Sequence, residues 1–132
     1  MIREMDHIGI AVENIEKAIE TYTRLFGVRV DHREELSERS LEVAFLKVGD
    51  VMLELICPTS EESIVHKFLE NKGEGLHHLC FKTDNVEETV QELKNQSFRL
   101  AQMPAKGAHG RIVAFLHPRD CHGVLIELAQ EA

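Results

Sequence analysis

Two stretches of the chain decide its fold: MDHIGIAVENIEKA (residues 5–18) and LHHLCFKTDNVEET (residues 76–89). They align without a gap at an offset of 71 residues, so that His7 matches His78. In each stretch a strand-like run ends at an asparagine, which is a favourable helix N-cap, and apolar residues then recur at helical spacing. The chain therefore contains an internal duplication, and each copy begins with a strand followed by a helix.

Three further β segments follow the helix in each copy. In the first copy they are VRVDHREE (28–35), LEVAFLKV (41–48) and VMLELICP (51–58). In the second copy they are FRLAQMP (98–104), RIVAFLHP (111–118) and HGVLIELAQ (122–130). A Gly-Asp turn between the second and third segments of the first copy predicts a hairpin, and Gly27 is placed to end the first helix.

The length of 132 residues and the duplication together predict one domain. We expect an α+β fold in which tandem βαβββ modules form a cupped mixed sheet. The two modules cover about residues 1–58 and 74–132, and a short helix over about residues 60–72 joins them.

Each copy carries one histidine and one glutamate at matching positions. The segments VMLEL and VLIEL match after a two-residue slip, which sets Glu54 against Glu127. A duplicated unit can place His7, His78 and both glutamates around a single point. Two imidazoles and two carboxylates favour a borderline divalent ion such as Co, Mn, Ni, Fe or Zn over Ca or Mg. Such an ion would polarise a carbonyl and stabilise the enolate left when its α-proton departs.

Strand parity supports the two glutamates as site residues. Glu54 and Glu127 each stand between two aliphatic residues in a strand, so their side chains point to the opposite face from those neighbours. A lone carboxylate buried there costs several kcal/mol unless a cation compensates it. Carboxylates from two copies of the module suit removal of a proton from one face of a substrate and its return to the other, as in an epimerisation or isomerisation.

Two neighbours of His78 are expected outside the ligand set. His77 has the opposite strand parity, and Cys80, with the same parity, is expected as a small buried hydrophobic residue. The other histidines are expected to be solvent-exposed or packing residues.

Composition excludes several classes of partner. The net charge of −8, without a cluster of basic and aromatic residues, argues against nucleic acid. No apolar run is long enough to span a membrane, and the first residues show no secretion signal. Three cysteines without CxxC spacing are typical of reduced thiols, so we expect a cytoplasmic protein.

The motifs D-H-I-G-I-A-V, G-L-H-H and G-V-L-I-E-L resemble those of the glyoxalase/vicinal-oxygen-chelate superfamily, which has the glyoxalase/bleomycin-resistance/dioxygenase fold. The segment GAHGRIVAFLHPRDCHGVLIEL (residues 107–128) is similar to the methylmalonyl-CoA epimerases within it. This resemblance implies an enzyme that interconverts (2R)- and (2S)-methylmalonyl-CoA through a metal-bound enolate. It further implies a homodimer, with cobalt as the expected metal and Mn, Ni or Zn as alternatives. The implied metal ligands are His7, Glu54, His78 and Glu127.

The resemblance also suggests catalytic and substrate-binding residues. Glu127 is the expected base, while the second base stays open between Glu54, Glu42 and water. Some members carry a non-ligand glutamate in the third strand, but an ungapped count puts Val43 there, and a one-residue slip reverses the strand face. The loop expected to approach the CoA or the substrate carboxylate contains Lys106, Gly107, His109 and Arg111.

Three other functions remain open at this stage. A glyoxalase I (lactoylglutathione lyase)-type isomerase would use the same ligand set on a glutathione hemithioacetal. An extradiol-type dioxygenase would use Fe(II) with two histidines and one carboxylate, so Glu54 as a fourth ligand argues against it. A non-catalytic small-molecule-binding member would not need the four ligands.

Overall fold

The computed structural model describes residues 1–131, and its strands and helices follow the predicted order twice, as strand, helix and three strands. The elements are β1 (Ile2–Ala11), α1 (Ile15–Phe26), β2 (Val30–Leu36), β3 (Leu41–Val48), β4 (Val51–Pro58), α2 (Ile64–Lys72), β5 (Gly75–Thr83), α3 (Val86–Asn95), β6 (Leu100–Lys106), β7 (Ile112–Leu116) and β8 (Ile126–Ala129). Short 3-10 turns lie at Ser37–Arg39, Ala108–Gly110 and Pro118–Cys121.

The strands form a mixed sheet in the order β2-β3-β4-β1-β5-β8-β7-β6. The pairs β2–β3, β3–β4, β6–β7 and β7–β8 are antiparallel, and β5 pairs with β8 in parallel. The predicted α+β class with a mixed sheet is therefore confirmed. The two strands that carry the matched histidines, β1 and β5, are neighbours in this order.

The asparagines predicted as helix caps act as caps. Asn14 accepts a hydrogen bond from the backbone N–H of Lys17 at 3.0 Å, and Asn85 accepts one from the N–H of Glu88 at 3.0 Å. Each bond satisfies one of the N–H groups that a helix leaves without an internal partner. At the other end of α1, Gly27 adopts φ +67°, a left-handed conformation that glycine enters without a Cβ penalty.

The last strand begins later than predicted. Residues 122–130 were expected to be extended, but β8 starts only at Ile126 because His122 and Gly123 have φ values of +56° and +88° and belong to a turn. The shorter strand still contains Glu127. Within residues 1–131, no helix is both long and apolar enough to cross a membrane.

The chain divides into two compact units. One joins Met1–His7 to His78–Ala132 and is called here the His78 unit; the other is Ile8–His77, called here the Glu54 unit. The boundary falls inside β1, so that the first seven residues are grouped with the second sequence repeat. Each unit has its own apolar core: Val86, Val90, Ala114, Leu116 and Leu128 in the His78 unit; Val12, Ile15, Ala44, Leu46 and Leu55 in the Glu54 unit.

Candidate metal centre and active site

Three of the predicted ligands lie together in the His78 unit. His7 is on β1, His78 on β5 and Glu127 on β8, and their side chains are buried, with exposed fractions of 4%, 6% and 8%. Strand pairing explains the meeting of the last two, since Glu127 stands opposite Cys80 in the parallel β5–β8 pair. Cys80 and His78 are two residues apart, so the side chains of His78, Cys80 and Glu127 project from one face of the sheet.

The donor atoms of this trio form a nearly equilateral triangle. Nε2 of His7 lies 3.1 Å from Nε2 of His78, and Oε1 of Glu127 lies 3.1 Å from each of these nitrogens. Despite the two close approaches, Oε1 of Glu127 is buried without a partner in hydrogen-bond geometry. A buried acceptor left in this way costs about 1–3 kcal/mol, so the trio is arranged for something other than its own hydrogen bonding.

The triangle has the dimensions of a metal site. Two ligand atoms bound at about 2.1 Å and at a right angle lie about 3.0 Å apart, whereas tetrahedral ligands at that bond length lie about 3.4 Å apart. The observed edges of 3.1 Å therefore match one face of an octahedron. Two imidazole nitrogens and a carboxylate oxygen are donors that Co, Mn, Fe, Ni and Zn accept. The residues present fit a divalent transition metal.

The electrostatic state of the trio also favours a cation. Burial raises the pKa of Glu127, but the two imidazoles beside it lower that pKa by more, so the carboxyl group is held ionised. The negative charge of the Glu127 carboxylate is thus buried beside two imidazoles, and a divalent ion needs such deprotonated ligands to bind.

Sequence reasoning missed a residue that contacts this trio. Asp6 was not among the predicted site residues, yet its Oδ2 lies 2.7 Å from Nδ1 of His7 and 2.9 Å from Nη1 of Arg111. Arg111 is 105 residues away in sequence, so no local pattern signals the contact. A possible signal was the Asp-His dipeptide itself, because histidines that bind metals are often oriented by a carboxylate.

The two neighbours of His78 have different surroundings. Cys80 is fully buried and packs with Val113, Ala129 and Phe115. Burial, followed by the charge of Glu127, raises the pKa of the Cys80 thiol to about 12, so it stays protonated at neutral pH. In the Glu54 unit, the His77 ring packs against Phe68 at a centroid distance of 4.8 Å.

The fourth predicted ligand, Glu54, belongs to the Glu54 unit. It lies on β4 opposite Phe45 of β3, and its exposed fraction is 6%. Its neighbour Leu55 is buried in the core beneath α1, so Glu54 projects from the other face of the strand, as parity predicted. Its inclusion in the ligand set stays a prediction.

Glu42, the alternative base, projects from the opposite face to Glu54. It is on β3 in register with Cys57, three residues before the Phe45–Glu54 pair, and an odd number of residues along a strand reverses the face. Its carboxylate lies 3.5 Å from the guanidinium of Arg33, which also pairs with Glu16 of α1. This placement gives Glu42 an ion-pair partner on the helix-covered face and argues against a direct role in proton transfer.

The predicted substrate loop is closed by its own backbone. The N–H of Gly107 donates to the carbonyl of Arg111 at 2.8 Å, and His109 adopts φ +61°. Gly107 is buried, whereas Lys106 and His109 are exposed. Arg111 is 8% exposed and points to Asp6, so its guanidinium supports the interior of the unit rather than the outer surface of the loop. Contact of this loop with a substrate stays a prediction.

The fold, with its buried cluster of two histidines and a glutamate, is that of a known superfamily. The chain belongs to the Glyoxalase/Bleomycin resistance protein/Dioxygenase superfamily, whose sequence profile matches residues 6–115. One relative is the mitochondrial methylmalonyl-CoA epimerase of Homo sapiens, 40% identical over 128 residues, which are 96% of this chain and 73% of that protein. The ethylmalonyl-CoA/methylmalonyl-CoA epimerase of Cereibacter sphaeroides is 34% identical over 98% of this chain and 99% of its own length.

Solved structures agree with these relatives. A Streptomyces coelicolor methylmalonyl-CoA epimerase variant in complex with 2-nitronate-propionyl-CoA superimposes with a TM-score of 0.95 at 37% identity, covering 100% of this chain and 96% of that one. A methylmalonyl-CoA epimerase in complex with methylmalonyl-CoA and NH4+ matches with the same TM-score, identity and coverage.

Proposed function

We propose that this protein is an enzyme that interconverts (2R)- and (2S)-methylmalonyl-CoA by removing and returning the α-proton, with a divalent metal ion as its cofactor. The observation that carries the proposal is the 3.1 Å triangle of His7, His78 and Glu127 donor atoms. It occurs in a chain that matches methylmalonyl-CoA epimerases over nearly its whole length at 34–40% identity.

The proposed ligand set adds Glu54 to the trio. Its support is the matched position in the other sequence repeat and the burial of its carboxylate on a strand face away from the core of its unit. Two imidazoles and two carboxylates suit a borderline divalent ion. The resemblance to the epimerases implies cobalt, with Mn, Ni or Zn as alternatives. When bound, the ion supplies Lewis-acid stabilisation of the negative charge that develops on the substrate oxygen as the α-proton leaves.

The chain's own carboxylates carry the proton in this proposal. Glu127, held ionised by its neighbours, accepts the α-proton from one face of the substrate, and Glu54 serves the other face. We assign Lys106, Gly107 and His109 to the acyl-CoA, with Arg111 acting from the interior of the loop.

Assembly and location follow from the sequence argument. We propose a homodimer, to be measured by light scattering during size-exclusion chromatography. Cytoplasmic location is proposed from the cysteine spacing; Cys57, Cys80 and Cys121 are all free thiols in the structure, as a reducing compartment requires.

The direct test is conversion of stereochemically pure methylmalonyl-CoA. Protein stripped by a chelator and then loaded with Co²⁺ is incubated with the (2R) thioester, and loss of optical activity is followed by circular dichroism. We expect metal-dependent racemisation that His78→Ala abolishes and His66→Ala, on the surface of α2, retains. Equal or faster turnover of the hemithioacetal of methylglyoxal and glutathione would replace the proposal with a glyoxalase activity.

A further inference from the structure

We infer that Asp6 is a positioning residue that orients His7 for metal binding, and that Arg111 holds Asp6 in place. The inference deepens the proposed function and rests on the metal site described there. It assigns Arg111 an internal role.

The geometry joins the three side chains in a row. Nδ1 of His7 donates to Oδ2 of Asp6 at 2.7 Å, and Nη1 of Arg111 donates to the same oxygen at 2.9 Å. Nε of Arg111 donates to the backbone carbonyl of Gln130 at 3.2 Å, which fixes the guanidinium to the chain just after β8. The Asp6 and Arg111 side chains are each 9% exposed, so water competes little for these bonds.

The row determines which nitrogen of His7 can bind an ion. An imidazole that donates from Nδ1 presents an unprotonated Nε2 when neutral, and Nε2 is the atom that faces His78 and Glu127 at 3.1 Å. The carboxylate also fixes the ring plane and makes the imidazole a stronger ligand. Arg111 donates to the Asp6 oxygen that also accepts from His7, so the acceptor is held in position from two sides.

The Asp-His pair is not repeated in the second copy of the module. The residue before His78 is His77, whose ring packs against Phe68 in the Glu54 unit. Both copies therefore carry a histidine at the matched position, whereas an aspartate precedes it only on β1. This asymmetry is what a device specific to His7 predicts.

A purely structural role for the Asp6–Arg111 pair is the competing explanation. Buried ion pairs contribute little net stability compared with apolar residues of similar size, so stability alone is a weak reason for the pair. Oδ2 of Asp6 accepts from both His7 and Arg111. Metal affinity therefore separates the two explanations, because a pair that serves only stability is not expected to change it.

The test is Co²⁺ affinity, measured by competition with a chromophoric chelator on the whole chain. We expect Asp6→Ala to weaken binding about 10- to 100-fold, the usual effect of losing a carboxylate that orients a metal-binding histidine. Asp84→Asn is the matched control, because it removes an exposed Arg3 ion pair of the same 2.9 Å length and should stay within about twofold of wild type.

Further variants distinguish positioning from loss of fold. Asp6→Asn keeps an acceptor of the same shape but without charge, and charged acceptors bond about twice as strongly, so its loss should be smaller than that of Asp6→Ala. Arg111→Lys should retain more affinity than Arg111→Met. In Co²⁺-loaded protein, the hyperfine-shifted Nδ1–H proton signal of His7 should exchange slowly with water in the wild type and rapidly in Asp6→Ala.

The outcomes separate this inference from the proposed function. If wild-type protein does not bind Co²⁺, the metal site fails and the inference fails with it. If wild-type protein binds Co²⁺ and Asp6→Ala binds it within about twofold, with unchanged Nδ1–H exchange, only the positioning role is overturned. If Asp6→Ala does not fold without metal, Asp6→Asn is judged by the same criterion.

Discussion

Glu127→Gln tests the metal trio most sharply, because it removes one negative charge and almost no volume. Oε1 of Glu127 lies 3.1 Å from both imidazole nitrogens, and the proposed site counts it as one full ligand. Structural zinc sites with four protein ligands bind with about 10–16 kcal/mol, an even share of about 2.5–4 kcal/mol per ligand. At about 1.4 kcal/mol per factor of ten, losing the carboxylate should weaken Co²⁺ binding about 10²- to 10³-fold.

The assay is competition between the protein and a chelator of known affinity, with the visible absorption of the Co²⁺ site as a second readout. Glu4→Gln is the control, since Glu4 lies on the same strand as His7 but is exposed and pairs with Lys82. Far-ultraviolet circular dichroism checks that both variants are folded. Wild-type affinity in folded Glu127→Gln, within about threefold, would refute Glu127 as a ligand.

Three further predictions concern residues around the site. Cys80→Ala should keep epimerase activity within about twofold because the buried thiol is protonated. It should lower the free energy of unfolding in urea by about 1 kcal/mol because the side chain fills space in the core. A large loss of kcat in folded protein would show that the thiol takes part. Gly107→Ala should destabilise the protein by about 1–3 kcal/mol in the same assay, because its Cβ would lie 3.0 Å from a methyl group of Val113, and wild-type stability would refute the tight packing. The hydrogen bond from Arg99 lowers the pKa of Asp120 from 3.8 to about 2. The stability that this bond adds is therefore present above about pH 4 and is lost as the pH falls towards 2. Asp120→Asn should make the urea midpoint fall less steeply between these pH values, and an unchanged acid profile would contradict this.

The duplication made much of the fold readable from sequence. Asn14 and Asn85 mark the start of α1 and α3 because a side-chain acceptor at that point satisfies a local need of the helix. Strand parity placed Glu54 away from Leu55 and the core because alternation is a property of the strand itself. These successes share a cause, which is that each depends on neighbours within a few residues.

Other features depend on contacts that no local pattern specifies. The Asp6–Arg111 pair joins residues 105 positions apart, and its partner choice is settled only when β1 and the β7 region come together. The face of Glu42 depended on a one-residue alignment choice, which the register of β3 with β4 resolves. The late start of β8 reflects the left-handed conformations of His122 and Gly123, which the apolar run after them concealed.

His7, His78 and Glu127 are proposed to hold a divalent ion at which an α-proton is exchanged. The most direct measurement is deuterium incorporation at C2 of methylmalonyl-CoA in D₂O, followed by NMR with and without added Co²⁺. We expect rapid, Co²⁺-dependent incorporation that His78→Ala abolishes. Absence of exchange in protein shown to contain Co²⁺, or exchange at the wild-type rate in His78→Ala, would contradict it.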